Sequence, residues 1–158
     1  MTDNLFLKER WAEKSSMEKT GKTTEENKIA RELAIWDNLE KKVKKIIRNA
    51  ESQKNKEQTK TLFEDLKKSI IYYANLVKNT PNNKLIGVES REEYEKIIKD
   101  NDKRRLAHNA LIDNLNILSR LCKKYGYDNN WREEMGNDRE RITEWALAIC
   151  ETIKNNPV

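Results

Sequence analysis

One stretch constrains the fold of this chain more than any other: residues 102–126, DKRRLAHNALIDNLNILSRLCKKYG. Leu111, Leu115, Leu118, Cys122 and Tyr125 recur at alternating steps of four and three. That spacing keeps apolar side chains on one face of an α-helix. Followed backwards, the same face carries His108, Arg104, Asn101 and Ile97. A stripe that must be buried over its second half therefore turns polar and cationic over its first. Ser90 and Glu93 form a capping box that starts a helix upstream, and Gly126 suits the left-handed position that ends one. Asp100, Asn101 and Asp102 offer a place to recap a second helix. Because the stripe keeps phase across them, the spacing predicts one long helix over 90–125.

The other segments repeat the pattern. A first helix is expected over 3–19, capped by Asp3 or Asn4, with Leu5, Phe6, Ala12 and Met17 apolar. An isolated amphipathic helix of this length is marginal, so residues 1–22 are expected to dock on the body or on a neighbouring subunit. A second helix over 25–52, capped by Thr23 or Thr24, buries Ile29, Leu33, Trp36, Leu39, Val43, Ile46, Ile47 and Ala50. The run SQKNKEQ reads as a polar link, followed by a third helix over 59–78 with a wide apolar face. Residues 79–90 form a loop punctuated by Pro81 and Gly87. Residues 127–137 read as irregular, and Asn137 or Asp138 caps a last helix that buries Ile142, Trp145, Ala146, Ile149, Cys150 and Ile153. The expected fold is all-α: one domain over 1–158, a bundle of about five helices.

Four glycines and two prolines in 158 residues favour helices joined by short loops. Hydrophobic residues make up only 36% of the chain, so each helix has a narrow buried stripe, and pooling of apolar surface in a homo-oligomer is expected. Cys122 and Cys150 fall on apolar stripes without paired-cysteine spacing, and no secretory signal or membrane-spanning run precedes them. They read as reduced core residues of a cytoplasmic protein. One histidine and two separated cysteines do not form the usual closed zinc site, so no metal and no cofactor is expected.

Charge is uneven. Residues 103–126 hold six Lys or Arg against one acid, Asp113, whereas residues 127–158 hold four bases and seven acids. A local basic patch attracts phosphates or acidic proteins, but it can also pair with the acidic tail inside the fold. Arg104 and His108 fall where the core stripe turns cationic, and a half-buried arginine needs an anion. Internal candidates for that anion are Asp100, Asp102, Asp113, Asp138, Glu140 and Glu144. The external candidate is a phosphate, which arginine binds with forked donors. Arg105, Asn109, Ile112, Asn116 and Ser119 make a neighbouring, amide-rich line. Mid-helix asparagines suit either a base edge or an interhelical polar network.

Other features have plainer readings. Lys41, Lys42, Lys44, Lys45 and Arg48 read as a solvated face that also suits the helix dipole. Trp36 and Trp145 read as core; Trp11 and Trp131 sit among polar residues and suit stacking on a base or an interface. Tyr72 and Tyr73 place hydroxyls near a pocket or at the wet edge of the core. No serine or cysteine elbow, glycine-rich phosphate loop or metal-ligand set is present, so no catalytic residue is nominated.

The runs RRLAHNALI at 104–112, LNILSRL at 115–121 and DRERI at 138–142, with Trp145 and Ala146, resemble a family of small helical bacterial and phage proteins across roughly the C-terminal 70 residues. The resemblance implies an all-α fold and no particular activity. The resulting expectation is a non-enzymatic binder of a phosphate-bearing ligand, a phage-type anti-defence protein that sequesters a nucleotide signal. Arg104 and Arg105 would pair with phosphates, His108, Asn109 and Asn116 would orient the ligand, and Lys103 would add field. The main alternative is a protein–protein inhibitor or structural oligomer with Arg104 and His108 in a buried network. Nucleic-acid binding through residues 41–48 comes third.

Overall fold

A computed structural model describes residues 24–80, 85, 87–127, 131–136 and 138–155. The helix expected over 3–19 lies outside the described residues, as do Thr23, Pro81, Ile86 and Asn137. Among the described residues there are five helices and no strand: α1 (Thr24–Asn49), α2 (Gln53–Asn79), α3 (Arg91–Lys124), α4 (Trp131–Met135) and α5 (Arg139–Asn155). The count matches the expectation of about five, but the membership differs, because α4 falls in the segment read as irregular. None of these helices is long and apolar enough to cross a membrane.

α3 is one unbroken helix of 34 residues. The Ser90 side chain accepts from the Glu93 N–H at 3.1 Å. At the other end the Tyr127 N–H reaches the Cys122 carbonyl at 2.9 Å and the Gly126 N–H reaches that of Lys123 at 3.1 Å, with Gly126 at φ +83°. This Schellman closure requires a left-handed residue, and glycine adopts that conformation without steric cost. Asp100, Asn101 and Asp102 lie inside the helix rather than recapping it.

Two boundaries move. α2 begins at Gln53, not at 59, because Ser52 caps it by accepting from the Asn55 N–H. Its first turns carry no apolar stripe; pairs at helical spacing support them instead, Gln53 to Glu57 at 2.8 Å and Lys60 to Glu57 at 3.6 Å. α4 forms because Trp131 and Met135, four apart, both reach the core. The Trp131 indole N–H donates to the Asn116 side-chain oxygen at 3.0 Å. Trp131 is therefore a buried anchor, not an exposed stacking platform. For α5 the cap is Asp138, whose carboxylate accepts from the Glu140 N–H at 3.1 Å.

α2 is the hub, packed against α1, α3 and α5, while α1 also packs on α5. Three aromatic rings join three of these helices. Trp36 stacks on Phe63 with centroids 5.2 Å apart and meets Trp145 at 6.3 Å. Around them Val43, Ile46, Leu66, Ile70, Leu111 and Ile149 are fully buried. Each such side chain contributes about 1.5–3 kcal/mol through removal from water. Cys122 and Cys150 are both buried and unbonded, and burial pushes the Cys122 thiol up from its ordinary pKa. Lys67, also buried, lays its ammonium over the Phe63 ring at 4.8 Å and reaches Glu64 at 3.3 Å. Across the α1–α5 seam, buried Glu32 takes Arg141 as its ion-pair partner.

Candidate functional site: a groove around Arg104

Arg104, in the polar half of the α3 stripe, faces a groove between α2 and α5. Tyr73, Val77 and Thr80 line it from α2, Arg104 from α3, and Arg139, Glu140, Thr143 and Glu144 from the first turns of α5. The groove encloses about 380 Å³. Two arginines and two carboxylates, Arg104 and Arg139 with Glu140 and Glu144, therefore face this space.

Arg104 is the unusual residue. It is only 6% exposed, in phase with Ile97, Ala107 and Leu111 on the inward face of α3. Its Nη1 donates to the Asn101 side-chain oxygen at a long 3.5 Å, and its buried Nη2 has no hydrogen-bond partner. Among the described residues no carboxylate pairs with it. Desolvating a guanidinium costs several kcal/mol unless an anion and hydrogen bonds compensate. Several of the in-chain candidates are engaged elsewhere or exposed: Asp102 pairs with Arg105 at 3.6 Å, Glu144 pairs with Lys28 at 3.2 Å, and Asp113, Asp138 and Glu140 are exposed.

Beside it a hydroxyl relay fixes the groove wall. The Thr143 hydroxyl donates to the Arg139 carbonyl at 2.8 Å, so its oxygen accepts the Tyr73 hydroxyl proton at 2.7 Å. Tyr73 is buried; Tyr72, its sequence neighbour, is 56% exposed and belongs to the outer surface. His108 meets the Tyr73 ring edge-on with centroids 5.6 Å apart, and its buried Nε2 has no hydrogen-bond partner. Burial first, and then the Arg139 charge, push the imidazole below its ordinary 6.5, against a smaller upward pull from the Asn109 side chain. Both influences favour the neutral imidazole.

No protein-family model, no curated protein and no solved structure matches this chain. The functional reading therefore rests on the side chains.

Of the ligand-site residues nominated from sequence, only Arg104 lines the groove; His108 lies one turn along the same helix, against the Tyr73 ring, and Asn109 does not line the groove. Lys103 and Arg105 point outward from α3 and do not line the groove, and Asn116 lies near Trp131. The amide-rich line is at least partly an interhelical network. On the adjoining face, Asn114 bridges to the Asp65 carbonyl at 3.3 Å and the Ser69 hydroxyl at 3.2 Å. Arg139, Thr80 and Thr143 were missed. The available signal for Arg139 was its position: a cation in the first turn of a helix opposes the dipole and calls for a reason. Among the described residues no cluster of His, Cys, Asp and Glu forms a metal-ligand set.

Proposed function

We propose that this protein binds a small phosphate-bearing molecule in the Arg104 groove and acts by sequestering it. The observation that carries the reading is Arg104: a guanidinium held out of water, with a free Nη2, in a cavity that also presents Arg139. A phosphate supplies the missing acceptors and neutralises both cations. The Tyr73, Thr80 and Thr143 side chains, which share the groove wall, add directed polar groups near that anion. At about 380 Å³ the space lies in the lower part of the usual small-ligand range, which supports a nucleotide or sugar phosphate over a polymer. The proposal extends to an anti-defence role, removal of a nucleotide signal, which would require tight retention of the ligand.

Thermal stabilisation across a panel of inorganic phosphate, sugar phosphates and nucleotides tests the reading. A ligand that binds only the folded state at 100 times its Kd adds about 2.7 kcal/mol of apparent stability. One class should shift the midpoint, and mass spectrometry of small molecules released from the purified protein should find the same class. No shift with any member, and nothing released, would remove the proposal.

A protein partner is the second reading, and one observation favours it. Tyr94, Ile98 and Leu106 stand exposed along one line of α3, with Leu106 60% exposed. Such a line suits a helix of a second copy. Leu106→Ser should then convert a dimer to a monomer in light scattering; a wild type that is already monomeric at high concentration would dismiss it.

A further inference from the structure

The three hydroxyls lining the Arg104 groove have their protons already committed. The Thr143 hydroxyl donates to the Arg139 carbonyl, and the Tyr73 hydroxyl donates to Thr143 Oγ1. The Thr80 hydroxyl donates to the Leu76 carbonyl, one turn back on α2. Turning any of them toward a phosphate gives up a bond that the protein makes by itself, whereas accepting from a ligand keeps it. Tyr73, Thr80 and Thr143 therefore offer lone pairs, and the Glu140 and Glu144 carboxylates are acceptors only. Among the described lining side chains, the remaining donors are the Arg104 and Arg139 guanidinium groups.

Charge imposes a second restriction. Two guanidinium groups face two carboxylates, so the charges of the lining side chains cancel. Glu144 also borders a second groove, between α1 and α5, where it pairs with Lys28 at 3.2 Å. Glu140 is exposed on the first turn of α5, next to Arg139 in sequence. One negative charge can rest against the guanidinium groups, but each further charge is set against a carboxylate inside the same small space. A phosphomonoester carries about 1.5–2 charges at pH 7 and a polyphosphate more, whereas a phosphodiester carries a single charge.

We propose that the Arg104 groove selects a small phosphodiester with free hydroxyls, its charge on Arg104 and Arg139 and its hydroxyls donating to Tyr73, Thr80 and Thr143. This selectivity rests on phosphate binding at Arg104 as proposed above, and it narrows that binding to one ligand class. Glu140 is the residue that turns away the second charge of a monoester.

Titration calorimetry on matched pairs provides the test. Cyclic 3′,5′-AMP and cyclic 3′,5′-UMP are each compared with the 5′-monophosphate, and glycerophosphoglycerol with glycerol 3-phosphate, so that nucleoside and polyol diesters are read separately. The tightest diester should bind better than its monoester by about tenfold or more. Glu140→Gln, a change on an exposed side chain, should narrow that ratio by raising the affinity for the monoester. Thr80→Val keeps the side-chain shape, removes one acceptor, and should weaken the diester by about threefold to tenfold. Equal affinity within the pairs, preference for monoesters, or a ratio unmoved by Glu140→Gln would overturn the selectivity and leave phosphate binding at Arg104 standing. Silence from every diester and every monoester would remove both.

Discussion

Replacing Arg104 by methionine should stabilise the unliganded protein while removing its response to phosphate ligands. Arg104 is 6% exposed, makes one hydrogen bond at 3.5 Å, and leaves Nη2 unsatisfied. A buried polar group without a partner costs about 1–3 kcal/mol, and exchanging buried ions for apolar side chains of similar size has been neutral to favourable by about 1–4 kcal/mol. The weak Asn101 contact offsets about 0.5–1 kcal/mol of that gain. Methionine approximates the arginine stem and adapts to irregular space. The net expectation is a gain of about 1–2 kcal/mol, read by urea unfolding, or a rise in melting temperature of about 2–8 °C for a chain of this size. In parallel, the thermal shift produced by phosphate ligands should vanish. A loss of more than about 1 kcal/mol in the variant would show that Arg104 serves an internal anion, and the ligand reading would fail with it. The two outcomes have opposite signs, so the assay separates a ligand site from a structural network.

Two further expectations concern pH and the end of α3. His108 titrates below its ordinary 6.5 in the folded protein, so the unfolded chain takes up a proton first as pH falls. Its contribution is present in full above 6.5, and stability is lost as pH drops from there through the folded value; urea midpoints of His108→Gln should show a shallower decline than wild type across that window, and parallel curves would contradict the assignment. Gly126→Ala forces a side chain into φ +83° and should cost about 1–2 kcal/mol in urea unfolding, although nothing within 4 Å blocks the added methyl group; a neutral result would mean that the turn relaxes.

The grooves in the α1–α5 and α2–α5 seams share an origin. α5 has to bury Ile142, Trp145, Ile149 and Ile153 against α1 and α2, which brings its first turns, rich in both charges, between two other helices. Glu32 and Arg104 are then buried by the same packing from opposite sides. Each finds only part of the hydrogen bonding it needs within the chain.

Periodicity alone determined a good deal. The steps of three and four from Ile97 to Tyr125 specify one continuous helix, and they place Arg104 and His108 on its inward face, because backbone geometry repeats every 3.6 residues whatever surrounds it. Capping chemistry set the ends at Ser90 and Gly126 for the same local reason. Local signals were weaker where stability comes from elsewhere: the first turns of α2 rest on an exposed ion pair and a side-chain hydrogen bond, and α4 on the Trp131 and Met135 side chains reaching a core built by distant segments. What completes each site is non-local. Only packing could bring Arg139 and Thr143 to Tyr73 and Arg104 and set Asn116 on an indole, whereas helix phase alone turns Arg105 outward beside Asp102. A helix face is a property of one segment, whereas a groove is a property of three, and no spacing within one segment encodes which residues of the others will stand across from it.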